Sequence, residues 1–173
     1  LLYGVGYIQE LSKKHGVPFL CANIISSKTG APAFSPGRVA TIGPFKIGLF
    51  GITGVAGLNE EPIHLGPDWK IADPVATAKA QVQKLAAAGA TYIVVLSHLG
   101  LEKDKMLAEK VPGIHLILGS HTGARLETPE HVGAAASGAA GDRGKYLGQL
   151  TFKLPKKDGT ALAKAIDATS AQL

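Results

Sequence analysis

Six histidines lie along this 173-residue chain, and two of them stand where chemistry could be done. His98 closes the apolar run Tyr92-Ile93-Val94-Val95-Leu96-Ser97-His98, and His121 follows the run Ile114-His115-Leu116-Ile117-Leu118-Gly119-Ser120. Each stands directly after a serine and two residues before a glycine. Imidazole is the commonest metal ligand in proteins and exchanges protons near neutral pH. Two imidazoles delivered to one place point to a shared metal ion or a metal pair. The plainer alternatives are a loop histidine capping the next helix for His98 and a turn residue between Gly119 and Gly123 for His121.

The other polar residues read differently. His115 lies inside its apolar run and reads as structural. His15, His64 and His131 read as loop or surface histidines, with His64 retaining a site role only if its loop faces the rim. Asn23, at the end of an apolar run, reads as bonding backbone rather than metal. Arg143 and Lys145 flank Gly144 and are weak candidates for binding phosphate; a solvated turn is the plainer reading. Asp73 before Pro74 is a helix N-cap rather than a catalytic acid. No Ser/His/Asp or Cys/His set can be assembled, and no GxxxxGK[ST] phosphate loop is present.

The elements that must position the two histidines are legible around them. Tyr92–Leu96 and Ile114–Leu118 are short, nearly continuous apolar runs, the pattern of parallel strands buried on both faces. Between them Leu101–Lys110 reads as a helix, with Leu101, Met106 and Leu107 sharing one face. A strand–helix–strand unit makes the strands parallel, so both histidines leave at the carboxyl edge, where open α/β sheets place their ligand sites. Upstream, Tyr7–Lys14 reads as a helix end stopped by Gly16. Phe19–Ile25 reads as a buried strand and Ser26–Gly37 as a loop. Val39–Ile42 and Phe45–Ile52 read as a hairpin around Gly43-Pro44, with glycines in the second strand that let another backbone approach. Thr53–Lys70 reads as a long loop. The helix that opens at Asp73-Pro74 buries Val75, Ala78, Val82, Leu85 and Ala86 and ends at Gly89. After His121 the chain reads as loop through Gly133–Gly141. Gln149–Leu154 is then a strand, Lys156–Gly159 a hairpin turn, and Ala163–Thr169 a strand pairing back.

Composition narrows the class. With 46% apolar and 18% charged residues the chain can bury a core and is not a disordered polymer. The net charge of +5 is scattered, with no lysine run longer than two, so no nucleic-acid stripe is predicted. A single cysteine, Cys21, excludes an internal disulfide framework and reads as a buried, inert thiol. No apolar run is long enough for a membrane-spanning helix. The chain opens Leu1-Leu2-Tyr3 in mid-element, so the expectation is a piece of a longer polypeptide.

Taken together, five segments resemble the metallophosphoesterase domain of the bacterial 5′-nucleotidase family, within the calcineurin-like superfamily. They are Pro18–Ile24 (PFLCANI), Lys46–Thr53 (KIGLFGIT), Asp73–Gly89, Ile93–Gly100 (IVVLSHLG) with Val111–Thr122 (VPGIHLILGSHT), and Gly144–Leu150 (GKYLGQL). The resemblance covers nearly the whole chain and lies in the order and spacing of motifs that are individually weak. It implies an α/β fold, a layered α/β/β/α metallophosphoesterase-like sandwich with its N-terminal part missing. Residues 1–173 would be a partial domain, lacking the family's N-terminal ligand motifs and its C-terminal nucleotide-binding domain.

The resemblance also implies a chemistry. His98 and His121 match two metal ligands of a centre holding divalent ions (Zn, Mn or Fe, possibly two) that activates water for attack on a nucleotide-type phosphoester. The family's ligand two residues after the second histidine is replaced here by Gly123, which has no side chain to offer. The centre would be incomplete in this chain and would rely on a missing N-terminal segment or on other chains. Two functions follow as expectations: part of a metal-dependent phosphoester hydrolase, or a degenerate scaffold or interaction module in a larger assembly. A periplasmic or cell-surface location is implied by resemblance only.

Overall fold

A computed structural model describes residues 3–55, 65–152 and 166–172. Its centre is a six-stranded sheet in the order β2-β3-β5-β6-β8-β7. The strands are β2 (Gly37–Ile42), β3 (Phe45–Thr53), β5 (Tyr92–His98), β6 (Leu116–Gly119), β7 (Glu130–Val132) and β8 (Ala135–Gly138). The inner four, β3, β5, β6 and β8, run parallel, and antiparallel β2 and β7 form the two edges. Two ribbons complete the strands: β1 (Ile24–Ser26) with β4 (Trp69–Ile71), and β9 (Tyr146–Phe152) with β10 (Ile166–Gln172).

Three helices accompany them: α1 (Gly4–His15), α2 (Pro74–Ala87) and α3 (Leu101–Lys110). The Asp73 carboxylate caps α2 by accepting from the Ala76 amide at 2.7 Å; Ala78, Val82 and Leu85 are buried as expected, whereas Val75 is half-buried and Ala86, also expected there, is exposed. The main core lies between α2 and α3 and one face of the sheet, where Phe50, Ile52, Ile93, Val95 and Ile117 meet Leu85, Leu107 and Val111. Alternation along β5 sends Tyr92 and Val94 to the opposite face, where they pack with Leu116, Ala136, Ile47, Leu49 and Leu150. This is the mixed α/β sheet with helices that the sequence implies.

Three segments differ from their sequence reading. The run Phe19–Ile25 yields only β1 as strand, and Phe19 is 43% exposed. The chain there makes separate contacts instead of a ladder: the Cys21 amide bonds Ser35 and the Ala22 amide bonds Gly51. Gly51 permits this crossing, because a Cβ there would lie 1.9 Å from the Leu20 carbonyl oxygen. The stretch Gly133–Gly141 holds β8, all four of whose residues are buried. Its alanines and glycine resemble loop composition, yet small side chains suit a strand on which Leu150 packs closely at Gly138. The end of the predicted Thr53–Lys70 loop forms β4. Residues 56–64, His64 included, and the predicted Lys156–Gly159 turn lie outside the described residues.

Candidate metal centre

β5 and β6 are neighbours in parallel register, with Ser97 paired to Gly119. His98 is the last residue of β5, and His121 stands two residues past β6 with a left-handed backbone, φ +92°. Both therefore emerge at the carboxyl edge, as the sequence predicts. Their rings meet edge to face with centroids 4.8 Å apart, and His121 Nδ1 lies 3.3 Å from His98 Nε2.

The surrounding bonds set the protonation of His98. Ser120 donates its hydroxyl proton to the Ser97 carbonyl at 3.0 Å, so its oxygen is free to accept from His98 Nδ1–H at 2.8 Å. That leaves the lone pair of His98 on Nε2, the atom that faces His121. Burial holds the His98 pKa below the usual imidazole value, and the charge of a protonated His121 lowers it further. Two histidine nitrogens bound tetrahedrally to one zinc at about 2.0–2.1 Å would lie about 3.3–3.4 Å apart. The observed pair has that spacing, held by a hydrogen bond from His121 Nδ1–H to the lone pair on His98 Nε2; two imidazole nitrogens so placed would fit two ligand positions of a divalent ion that replaced that proton. Among the described residues no group of three or more His, Cys, Asp or Glu side chains gathers around one point.

The remaining predicted residues fall into place around this pair. Gly123 lies against Asp142, whose Cβ would be 3.4 Å from a Cβ at position 123. The turn Asp142–Lys145 thus adjoins the His121 loop. Arg143 and Lys145 ion-pair with Asp142 at 3.5 and 3.7 Å and are largely exposed. His115 is structural: its Nδ1 accepts from the Ile93 amide at 3.1 Å while the ring stacks on Tyr92. Asn23 is fully buried and bonds backbone on two elements, donating to Thr53 and Ala72 and accepting from Thr53. Cys21 is half-buried, and burial raises its thiol pKa. His15 and His131 are exposed at the end of α1 and within β7.

Beside His98 opens a cavity of about 390 Å³ bounded by Phe19, Phe34, Leu96 and Leu118. Two residues near the pair have no counterpart in the sequence reading: Ser120, which orients His98, and Asp104, buried beneath the same strand ends. The signal for Asp104 lies in helical spacing, since Leu101, Asp104, Leu107 and Val111 fall on one face and Met106 turns outward, 37% exposed.

A mixed α/β sheet with parallel inner strands and two histidines meeting at its carboxyl edge is the arrangement to compare with known folds. No family model matches the sequence. Bovine (Bos taurus) 5′-nucleotidase is 31% identical over 130 residues, covering 71% of this chain and 22% of that protein. The fold overlaps a Thermus thermophilus sulfate thiohydrolase, SoxB, with a TM-score of 0.84 at 27% identity, covering 98% of this chain and 30% of that one. It overlaps a 5′-nucleotidase precursor, also from Thermus thermophilus, with a TM-score of 0.83 at 25% identity, covering 99% and 36%. The chain thus resembles, in sequence and fold alike, the metallophosphoesterase domain of the 5′-nucleotidases. It spans about a fifth of the length of the curated relatives it matches.

Proposed function

We propose that this chain is part of a metal-dependent phosphoester hydrolase acting on nucleotide-type substrates, with His98 and His121 as ligands of a divalent ion. One observation carries the reading: the 3.3 Å approach of His121 Nδ1 to His98 Nε2 at the carboxyl edge, with Ser120 holding the His98 proton on Nδ1. When bound, a divalent ion there supplies an activated water and a clamp on the ester's oxygens. The protein's own part is to bring the two imidazoles to one point and to favour the neutral form of His98, which its depressed pKa supports. Zn, Mn and Fe all suit imidazole donors, and further ligands come from segments outside residues 1–173. Arg143 and Lys145, on the turn beside the His121 loop, are the residues proposed to meet the phosphate.

The catalytic reading is preferred to a degenerate scaffold because the relatives are named as hydrolases. A periplasmic or cell-surface location accompanies it by resemblance alone. The likeness to a sulfate thiohydrolase adds a second tetrahedral oxoanion ester to be tested.

The test uses the full-length polypeptide that carries this chain, assayed for hydrolysis of nucleoside monophosphates, a chromogenic phosphodiester and a thiosulfate ester, with Zn, Mn or Fe added. Metal-dependent turnover that falls about 100-fold or more in both His98→Ala and His121→Ala is the expected result. Full activity in both variants would overturn the assignment.

A further inference from the structure

Asp104 is 1% exposed, in the first turn of α3, a helix whose other acidic residues are solvated. Its Oδ1 accepts the hydroxyl proton of Ser97, itself 4% exposed, and that hydroxyl in turn accepts from the Leu99 amide at 3.2 Å. Its Oδ2 lies under Gly119, where a Cβ would be only 2.4 Å away. Ser97 and Gly119 are register partners on β5 and β6, so a single carboxyl group reaches beneath both strand ends. On the opposite side of those same ends stand His98 and Ser120. The connection is short: Asp104 holds the Ser97 side chain, the Ser97 carbonyl holds Ser120, and Ser120 holds His98 Nδ1.

Its surroundings argue against a role in packing alone. Asp104 Oδ2 and Ser137 Oγ are buried side-chain atoms with no hydrogen-bond partner among the described residues, and both residues line one small cavity with Gly119 and Ser120. An apolar residue would fill this position without leaving such atoms unpartnered. Gly119 must also lack a side chain for the carboxyl to reach, so two positions are committed to one arrangement.

We propose that Asp104 is a positioning residue for the histidine pair, fixing the end of β5 through Ser97 so that His98 presents Nε2 toward His121. The consequence for metal binding rests on the reading of that pair as ligands; the orientation of His98 does not. Groups that orient a metal ligand from behind commonly change affinity by about 10–100-fold when removed.

The experiment uses the full-length polypeptide with ¹⁵N-labelled histidine and the variants Asp104→Ala, Asp104→Asn and Ser97→Ala, with His98→Ala to assign the signal. Two readouts are taken on variants whose circular dichroism matches the parent: the His98 tautomer by long-range ¹H–¹⁵N correlation, and Co²⁺ affinity with its d–d spectrum. The parent is expected to show the Nδ1–H tautomer. Asp104→Ala and Ser97→Ala are expected to lose that single tautomer and to bind Co²⁺ about 10–100-fold more weakly with a shifted spectrum. Asp104→Asn, which keeps an acceptor for Ser97, is expected to retain the tautomer. An unchanged His98 tautomer in both Asp104→Ala and Ser97→Ala would overturn the proposal, and should Asp104→Ala not fold, Ser97→Ala decides it alone. A changed tautomer with Co²⁺ affinity untouched even in His98→Ala would uphold the positioning role and remove the metal reading instead.

Discussion

Asp104 puts a carboxyl group where the spacing of α3 would ordinarily bury a leucine. Burial pushes its pKa up to about 6, against a downward pull from the Ser97 hydroxyl. The sign follows from linkage. The unfolded chain gives up this proton near 3.8 and the folded chain near 6, so folding loses stability as pH rises through that interval, by roughly 3 kcal/mol in full. Asp104→Asn cannot ionise and escapes that loss. Urea unfolding between pH 4 and 7.5 is therefore expected to show Asp104→Asn gaining on the parent as pH rises, and a pH-independent difference would contradict a carboxyl with a raised pKa. That His98 and His121 would meet at one edge was readable, because each follows an apolar run and one helix joins the two runs as parallel strands. The partners of Asp104 and Ser120 were not, since helical spacing sets Asp104 on the buried face without showing what it meets, and a serine in a turn looks like ordinary surface until β5 and β6 are laid side by side.

The element most easily misread was the crossing at Phe19–Ser26. Its apolar residues have the composition of a strand, but the segment is fixed by one side chain more than by a ladder. Fully buried Asn23 ties β1 to the end of β3, through Thr53 N–H and C=O at 3.0 and 2.7 Å, and to Ala72 just past β4 at 3.3 Å. Asn23→Ala removes three bonds to backbone, and a fourth from the Cys21 thiol, and leaves half-buried backbone groups unpartnered, for a loss of about 3 kcal/mol. The expected readout is a lower urea midpoint with an unchanged slope, since no surface is newly exposed in the native state. Asn23→Asp keeps the acceptor but turns a carboxylate oxygen on the Thr53 and Ala72 carbonyls, and at neutral pH should lose at least as much. By contrast α2 and α3 and strands β3, β5 and β6 were visible from capping residues and apolar periodicity alone. β8 was not, because its Ala-Ala-Ser-Gly sequence has little strand propensity and owes its place to burial among neighbours.

On the scale of the molecule, α2 and α3 cover one face of the sheet, and among the described residues the other is only partly covered, with Ile8 of α1 at its cavity. Leu96 and Leu118 stand there 40% and 36% exposed, beside the cavity that Phe19 and Phe34 border. Adjacent strands thus present an apolar surface next to the histidine pair, and α/β domains bury such faces under a further layer. The chain spans 30–36% of the two Thermus structures it overlaps, which leaves ample polypeptide to form that layer. The double substitution Leu96→Gln, Leu118→Gln separates the cases, because its sign depends on what lies above the face. In residues 1–173 expressed alone it should reduce self-association and dye binding and change stability little, since both side chains already meet water. In the full-length polypeptide, with the face covered, it should cost about 2 kcal/mol or more per site and lower the unfolding midpoint accordingly. Equal and small effects in both contexts would mean that this face is solvated in the whole protein.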